Sequence, residues 1–287
     1  HVSSGDIISV MSRYASWIKL SHTIFALPFA LASAVLASRE VNVSLSQVLL
    51  IVLAMAMARS TAMGFNRLVD RHIDAGNPRT AARELVTGEV SVTGAVWFTV
   101  GTALAFVGTA ALLSSLTFKL SPIALLVVWG YSLTKRFTAL CHLFLGLALA
   151  LAPVAVWIAL VGDIAPVALW LALAVGTWVA GFDILYACQD ADFDTQVGLH
   201  SMPVALGLKG AMIFSGLLHL ITVGALVAVP MTVSLTWPYW IGVVLIVGTL
   251  AYEHWLVRPD DLSKMNKAFF DLNGAVSLIY LGAILLS

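Results

Sequence analysis

The stretch SQVLLIVLAMAMARSTAMGFNRLVDRHID, Ser46 to Asp74, passes between two environments without a break. From Ser46 to Phe65 it is overwhelmingly apolar, with Arg59 as its one formal charge. That is the length of about 20 residues a helix needs to cross a hydrocarbon core of about 30 Å. From Asn66 onward the pattern becomes N-x-x-x-D-x-x-x-D. Residues four apart share a helix face. Asn66, Asp70 and Asp74 therefore form a polar column about 12 Å long, at a rise of about 1.5 Å per residue. Arg67 and Arg71 form a basic column beside it. A membrane helix that runs directly into paired acids predicts a polar site at the bilayer edge.

The rest of the chain fits that start. Of 287 residues, 60% are hydrophobic and only 10% charged, with a mean hydropathy of +0.97. A soluble domain is about 25% charged, so this surface is built for lipid. The expected fold is all-α and polytopic, a single domain over 1–287, because lipid forces the backbone to satisfy itself within helices. Nine spans are predicted: His22 to Ser38, Ser46 to Phe65, Val92 to Ser114, Ser121 to Thr134, Leu140 to Val161, Pro166 to Tyr186, Gly210 to Pro230, Tyr239 to Val257 and Ala268 to Leu286. The polar opening residues predict no cleaved leader. With 15 basic and 15 acidic side chains, there is no basic excess to bind nucleic acid. Cys141 and Cys188 are too distant for a C-x-x-C site and too few for a disulfide framework.

The basic residues divide by membrane face. Arg13, Lys19, Arg67, Arg71, Arg79, Arg83, Lys135, Arg136, Lys209, Arg258, Lys264 and Lys267 fall on one side of the nine-span topology. Arg39 and Lys119 fall on the other. Lys and Arg accumulate in cytoplasmic loops. The N-terminus and the acidic column should therefore face the cytoplasm, in an integral protein of the cell membrane.

A second acidic motif follows the sixth span: Asp183-Ile-Leu-Tyr-Ala-Cys-Gln-Asp190-Ala-Asp-Phe-Asp194. Asp190 and Asp194 repeat the four-residue step, and Asp183 lies a heptad earlier on roughly the same face. Four spans separate the two motifs, which places both on one membrane face and hints at an internal duplication. Carboxylates four residues apart repel each other, and placing them near a membrane costs more. A compensating cation is expected. Oxygen donors with few protein carboxylates suit Mg²⁺, whereas zinc would call for His and Cys. The residues thus predict two Mg²⁺ ions, one per motif, bridging a shared diphosphate. Solvated acidic surface helices are the blander alternative. An ion or proton pathway is another, but it would place its charges at mid-span, where only Arg59 stands. A transporter would also want discontinuous helices in paired halves, and no convincing pair of mid-span breaks is visible.

These motifs resemble those of the intramembrane aromatic prenyltransferases of the UbiA superfamily. The resemblance rests on Gly64-Phe-Asn-Arg-Leu-Val-Asp-Arg-His-Ile-Asp74, Asn77-Pro-Arg-Thr-Ala81, Tyr131-Ser-Leu-Thr-Lys-Arg136, the second acidic motif, and Gly198-Leu-His-Ser-Met-Pro203. It runs from about Trp17 to Gly207 and is closest to members acting on 4-hydroxybenzoate or related quinone precursors. Two departures touch the acceptor or phosphate region: Ser16 and Lys19-Leu20 replace an Arg and a Lys-Pro pair, and His200 replaces a Lys. The resemblance implies about nine helices around a cavity open to lipid, capped by cytoplasmic loops. It implies transfer of a polyprenyl group from an isoprenoid diphosphate to an aromatic acceptor. The alternatives are a dihydroxynaphthoate, haem or lipid acceptor.

Carried onto this sequence, the resemblance assigns one Mg²⁺ to Asn66, Asp70 and Asp74 and the other to Asp190 and Asp194. Lys135 and Arg136 become diphosphate contacts, with Arg67, Arg71 and Arg79 as weaker ones. Tyr131 and Tyr186 offer ring faces to a carbocation. Lys19 and Arg59 are candidates to hold an acceptor carboxylate. Asp70, Asp183, Asp190 and Lys135 are the catalytic candidates, with Asp183, a first-motif Asp or the departing diphosphate itself as the base. His22, His142, His219 and His254 read as ordinary span or interface residues.

Overall fold

The computed structural model describes residues 25–287. Among the described residues nine helices carry the architecture: α1 Leu27–Ala37, α2 Leu45–Gly76, α3 Val92–Leu113, α4 Ser115–Thr134, α5 Cys141–Val161, α6 Pro166–Ala187, α7 Met202–Ala228, α8 Trp237–Leu256 and α9 Asn273–Leu285. Eight long apolar stretches among the described residues could cross a membrane. The first expected span is present as α1, although His22 and its neighbours lie outside the described residues. Among the described residues there is no strand, only an isolated bridge between Arg258 and Asp261.

Local chemistry sets the helix starts. The Ser44 side chain accepts from the Gln47 N–H in a capping box that opens α2, and Ser91, Ser114 and Ser201 cap α3, α4 and α7. Such oxygens satisfy N–H groups that a helix start leaves unpaired. Proline stands in the first turn of α1, α6, α7 and α8, where its missing N–H costs nothing.

The centre of the bundle is α6. Its Leu171, Ala174, Val175, Trp178 and Val179 have no exposed surface. It packs closely on α5, where a Cβ added at Gly146 would come within 2.2 Å of the Gly176 carbonyl oxygen. Small residues at membrane interfaces permit this approach, because packing rather than water drives association there. On the outside, Leu104, Leu126, Leu220 and Val244 are exposed, which lipid rather than water tolerates. Trp157 and Trp178 are buried in the core, whereas Trp97 and Trp237 face outward.

Several boundaries differ from expectation. The fourth span starts earlier, at Ser115, because Ser114 alone separates α3 from α4 and caps the latter. Lys119 therefore lies inside α4 rather than in a loop. The seventh helix starts at Met202 and turns through Gly207, whose φ of +71° interrupts it. Glycine supplies that left-handed conformation without a Cβ penalty. A π-helical turn, Ala268–Leu272, precedes α9. Its widened backbone is held by Asn273, whose Nδ2 donates to the carbonyls of Ala268 and Phe269.

Candidate active site

Two elements bring the acids together, and they do so differently. The first motif rides on α2, whose 32 residues extend to about 48 Å at the usual rise of about 1.5 Å. That exceeds the hydrocarbon thickness of about 30 Å, so the polar end from Asn66 to Gly76 projects past it. The second motif is broken rather than continuous. After α6 ends at Ala187, a 3₁₀ turn, Cys188–Asp190, leads into a short helix, Ala191–Val197. Asp183 therefore does not share one helical face with Asp190 and Asp194, a correction to the heptad reading. Asp disfavours helix interiors and favours first turns, which is where Asp192 and Asp194 stand in the new helix.

The two motifs face one vestibule. Asn77, just past α2, donates from Nδ2 to Asp190 Oδ1 at 3.0 Å. Arg79 grips the same carboxylate, Nε to Oδ1 at 2.9 Å and Nη2 to Oδ2 at 2.5 Å. Its Nη1 also donates to the Tyr186 hydroxyl at 3.1 Å. Phe193 packs against Gly76. Asp70, 1% exposed, receives Lys135 Nζ on Oδ2 at 2.5 Å and Arg136 Nη2 on Oδ1 at 3.1 Å. Asn66 donates to Asp70 Oδ2 at 3.3 Å and to Ser132 Oγ at 3.2 Å. Asp74 pairs with Arg83 Nη1 at 2.6 Å. The His200 N–H donates to the Lys135 carbonyl at 2.7 Å, tying the loop after the second motif to the turn after α4.

Burial, followed by the nearby Asp70 charge, pushes the Asp74 carboxyl up to about 6. Burial, followed by Asp190, pushes Asp194 up to about 6 as well. Both shifts mark sites where negative charge is crowded and poorly hydrated. Added positive charge favours the ionised forms. Among the described residues no three His, Cys, Asp or Glu side chains form a ready-made metal cage. The donors are instead hard oxygens in pairs, with basic groups between them. This fits a cation such as Mg²⁺, which takes one or two carboxylates and completes its shell with waters and phosphate oxygens.

Beneath the vestibule lies a cavity of about 350 Å³. Its walls include Met55, Ala62, Val128, Leu149 and Phe182, and the polar groups reaching it include Arg59, Asn66, Arg67, Arg79, Arg83, Tyr131, Asp183 and Tyr186. Arg59 Nε, Arg67 Nε and Arg67 Nη1 are buried without a hydrogen-bond partner among the described residues. Burying guanidinium nitrogens without acceptors is costly, and an anion in the cavity would relieve that cost. Phe269, on the π-helical turn, packs on Tyr186 with ring centroids 4.1 Å apart. A second apolar pocket of about 220 Å³ adjoins the first, sharing Met55, Phe106, Ala124, Leu151, Ala152 and Ala155 in its walls.

Of the residues singled out from sequence, Arg71 is not brought to this cluster. Its Nε donates to His72 at the exposed surface. Lys19 lies outside the described residues. Sequence reasoning noted Asn77 in a motif and Arg83 among the cytoplasmic basic residues but gave neither a site role, because their partners arrive from elsewhere in the fold. It also took His142 for a span residue, whereas His142 Nδ1 is 2.7 Å from Asp183 Oδ2. Its one available signal was a polar ring at the start of a strongly apolar helix.

The UbiA prenyltransferase family pattern matches residues 26–275. The 4-hydroxybenzoate octaprenyltransferase of Vibrio cholerae is 31% identical over 236 residues, covering 82% of this chain and 82% of that protein. The apo structure of a UbiA homologue from Aeropyrum pernix K1 superposes with a TM-score of 0.84 at 32% identity, covering 92% of this chain and 97% of that one. A UbiA homologue from Archaeoglobus fulgidus bound to DMAPP and Mg²⁺ shares the fold, with a TM-score of 0.75 at 22% identity over 96% and 98% of the two chains.

Proposed function

Since the chain belongs to the UbiA prenyltransferase family, we propose that it transfers a polyprenyl group from an isoprenoid diphosphate to 4-hydroxybenzoate, with Mg²⁺, in quinone biosynthesis. The proposal treats residues 1–287 as one catalytic domain, with its vestibule on the cytoplasmic face of the cell membrane. The Lys and Arg excess on the vestibule side supports that orientation. The acceptor follows from the name of the Vibrio cholerae relative. The Mg²⁺ follows from the ligands of the Archaeoglobus fulgidus homologue and from the oxygen donor set.

One observation carries the reading: two acidic motifs converge, among basic side chains, over an apolar cavity into which Arg59 reaches with an Nε that has no partner among the described residues. Asn66, Asp70 and Asp74 would hold one Mg²⁺, and Asp190 and Asp194 the other. Bound there, the ions would neutralise charge on the departing diphosphate. Lys135, Arg136, Arg67, Arg79 and Arg83 would fix its oxygens through charged hydrogen bonds. Tyr131 and Tyr186 would face the allylic carbon, whose positive charge their rings stabilise. The apolar walls would keep water from capturing it. Arg59 would bind the acceptor carboxylate, giving its unpaired Nε a partner. The isoprenoid tail would enter the apolar pocket that continues from the cavity.

The test is isoprenoid transfer by purified protein given Mg²⁺, polyprenyl diphosphate and a panel of acceptors. 4-Hydroxybenzoate should be the preferred acceptor. A preference for a dihydroxynaphthoate, a haem or a lipid would keep the chemistry and replace the acceptor.

A further inference from the structure

Asp183 is the carboxylate among the described residues lining the cavity, and it is held from outside the cavity. His142, 2% exposed, sits behind it at the start of α5, with Nδ1 2.7 Å from Asp183 Oδ2. The other ring nitrogen settles the direction of that bond. Met202 N–H donates to His142 Nε2 at 3.2 Å. A nitrogen that accepts a backbone N–H must keep its lone pair. The proton of the neutral ring is therefore on Nδ1, which donates to Asp183. No described residue bonds the second oxygen, Oδ1. Met202 opens α7 directly after the loop that leaves the second acidic motif, where Leu199 N–H donates to the Asp194 carbonyl at 2.8 Å. One imidazole thus joins the cavity carboxylate to the exit of the second motif.

We infer that His142 is a positioning residue: it fixes the Asp183 carboxylate so that Oδ1 alone faces the reacting ring. The inference rests on the prenyl-transfer reading. When the acceptor ring attacks the allylic carbon, a new C–C bond forms and the attacked ring carbon still carries its hydrogen. That C–H bond then breaks, and its electron pair restores the aromatic ring. The proton passes to Asp183 Oδ1, converting the carboxylate into a neutral acid that later releases it to water. The Nδ1–H bond engages Oδ2 throughout and holds the rotamer. For metal-bound side chains, losing the hydrogen-bond partner that orients them costs about tenfold to a hundredfold, and the same scale is expected for this carboxylate.

Two variants separate positioning from structural support. His142→Phe removes both ring nitrogens. His142→Asn restores a donor near the Nδ1 position but is too short to accept from Met202 N–H. Both lose the Met202 bond, so any structural penalty is shared, and thermal stability in detergent measures it. Positioning predicts that kcat falls roughly tenfold to a hundredfold in His142→Phe and largely recovers in His142→Asn. The KM for isoprenoid diphosphate and the Mg²⁺ requirement should stay unchanged. On an Asp183→Asn background, His142→Phe should add no further loss, since residues acting as one unit are not additive. Equal losses in the Phe and Asn variants, a normal kcat in His142→Phe, or an independent further loss on the Asp183→Asn background would each overturn the inference. A readout free of turnover separates this from failure of the function itself. In protein carrying nitrogen-labelled histidine, a downfield imidazole N–H should vanish in Asp183→Ala. Its persistence would overturn the hydrogen bond even in a fully active enzyme. Its loss in a protein that transfers no isoprenoid would sink the function and leave the geometry standing.

Discussion

Asp70 has two cationic partners, Lys135 and Arg136, and almost no exposed surface. Removing a carboxylate from such a cluster leaves two basic groups facing each other and one fewer oxygen donor. Asp70→Ala, and likewise Asp194→Ala, should lower kcat by more than about a hundredfold, the scale for losing one preorganised electrostatic contact. Membrane expression should be retained. Normal turnover in both variants would remove the acidic motifs from the chemistry. Arg59 makes a different prediction, because its Nε has no partner among the described residues and the side chain reaches the cavity. Arg59→Gln should raise the acceptor KM with little effect on the diphosphate KM. The reverse pattern in steady-state kinetics would place Arg59 on the leaving group instead.

At the scale of elements, close helix contacts and cavity walls each set a limit. The contact between α5 and α6 has no room for a side chain at Gly146. Gly146→Leu should destabilise the protein by about 1–3 kcal/mol or more, the usual penalty for overpacking. A lowered midpoint in detergent thermal unfolding would report it. The wall shared by the two apolar pockets leads to a selectivity prediction. Ala155 lines both, so Ala155→Trp should cut turnover of long polyprenyl diphosphates far more than that of dimethylallyl diphosphate. An equal effect on every chain length would place the tail elsewhere. The spans themselves were legible from hydropathy alone. The break between α6 and the short helix Ala191–Val197 was not. Its residues keep a helical spacing, and only the 3₁₀ turn shows that the register is lost.

For the whole molecule, the membrane is the solvent that makes the composition workable. Outward Leu and Val side chains are exposed as lipid would require, and the ion pairs of both acidic motifs gather around the polar end of α2. Chelating divalent cations should abolish transfer by the purified enzyme, with recovery on adding Mg²⁺. Turnover unaffected by a chelator would rule out the metal. The chain's family is that of an enzyme rather than a transporter, so proteoliposomes should show product formation in place of flux.

Composition and short-range periodicity determined the membrane environment, the helical class and the presence of two acidic motifs, because each depends on residues within a few turns of one another. The same spacing marked Asn66, Asp70 and Asp74 as one column. What only the tertiary structure decided is which charges meet. Asn77 reaches Asp190 across 113 residues, and Lys135 reaches Asp70 across 65. His142 reaches Asp183 across 41. Those pairings depend on helix crossings, on the close approach at Gly146 and on the broken register after Ala187. Such features arise from packing in three dimensions, and no local pattern in the chain encodes them.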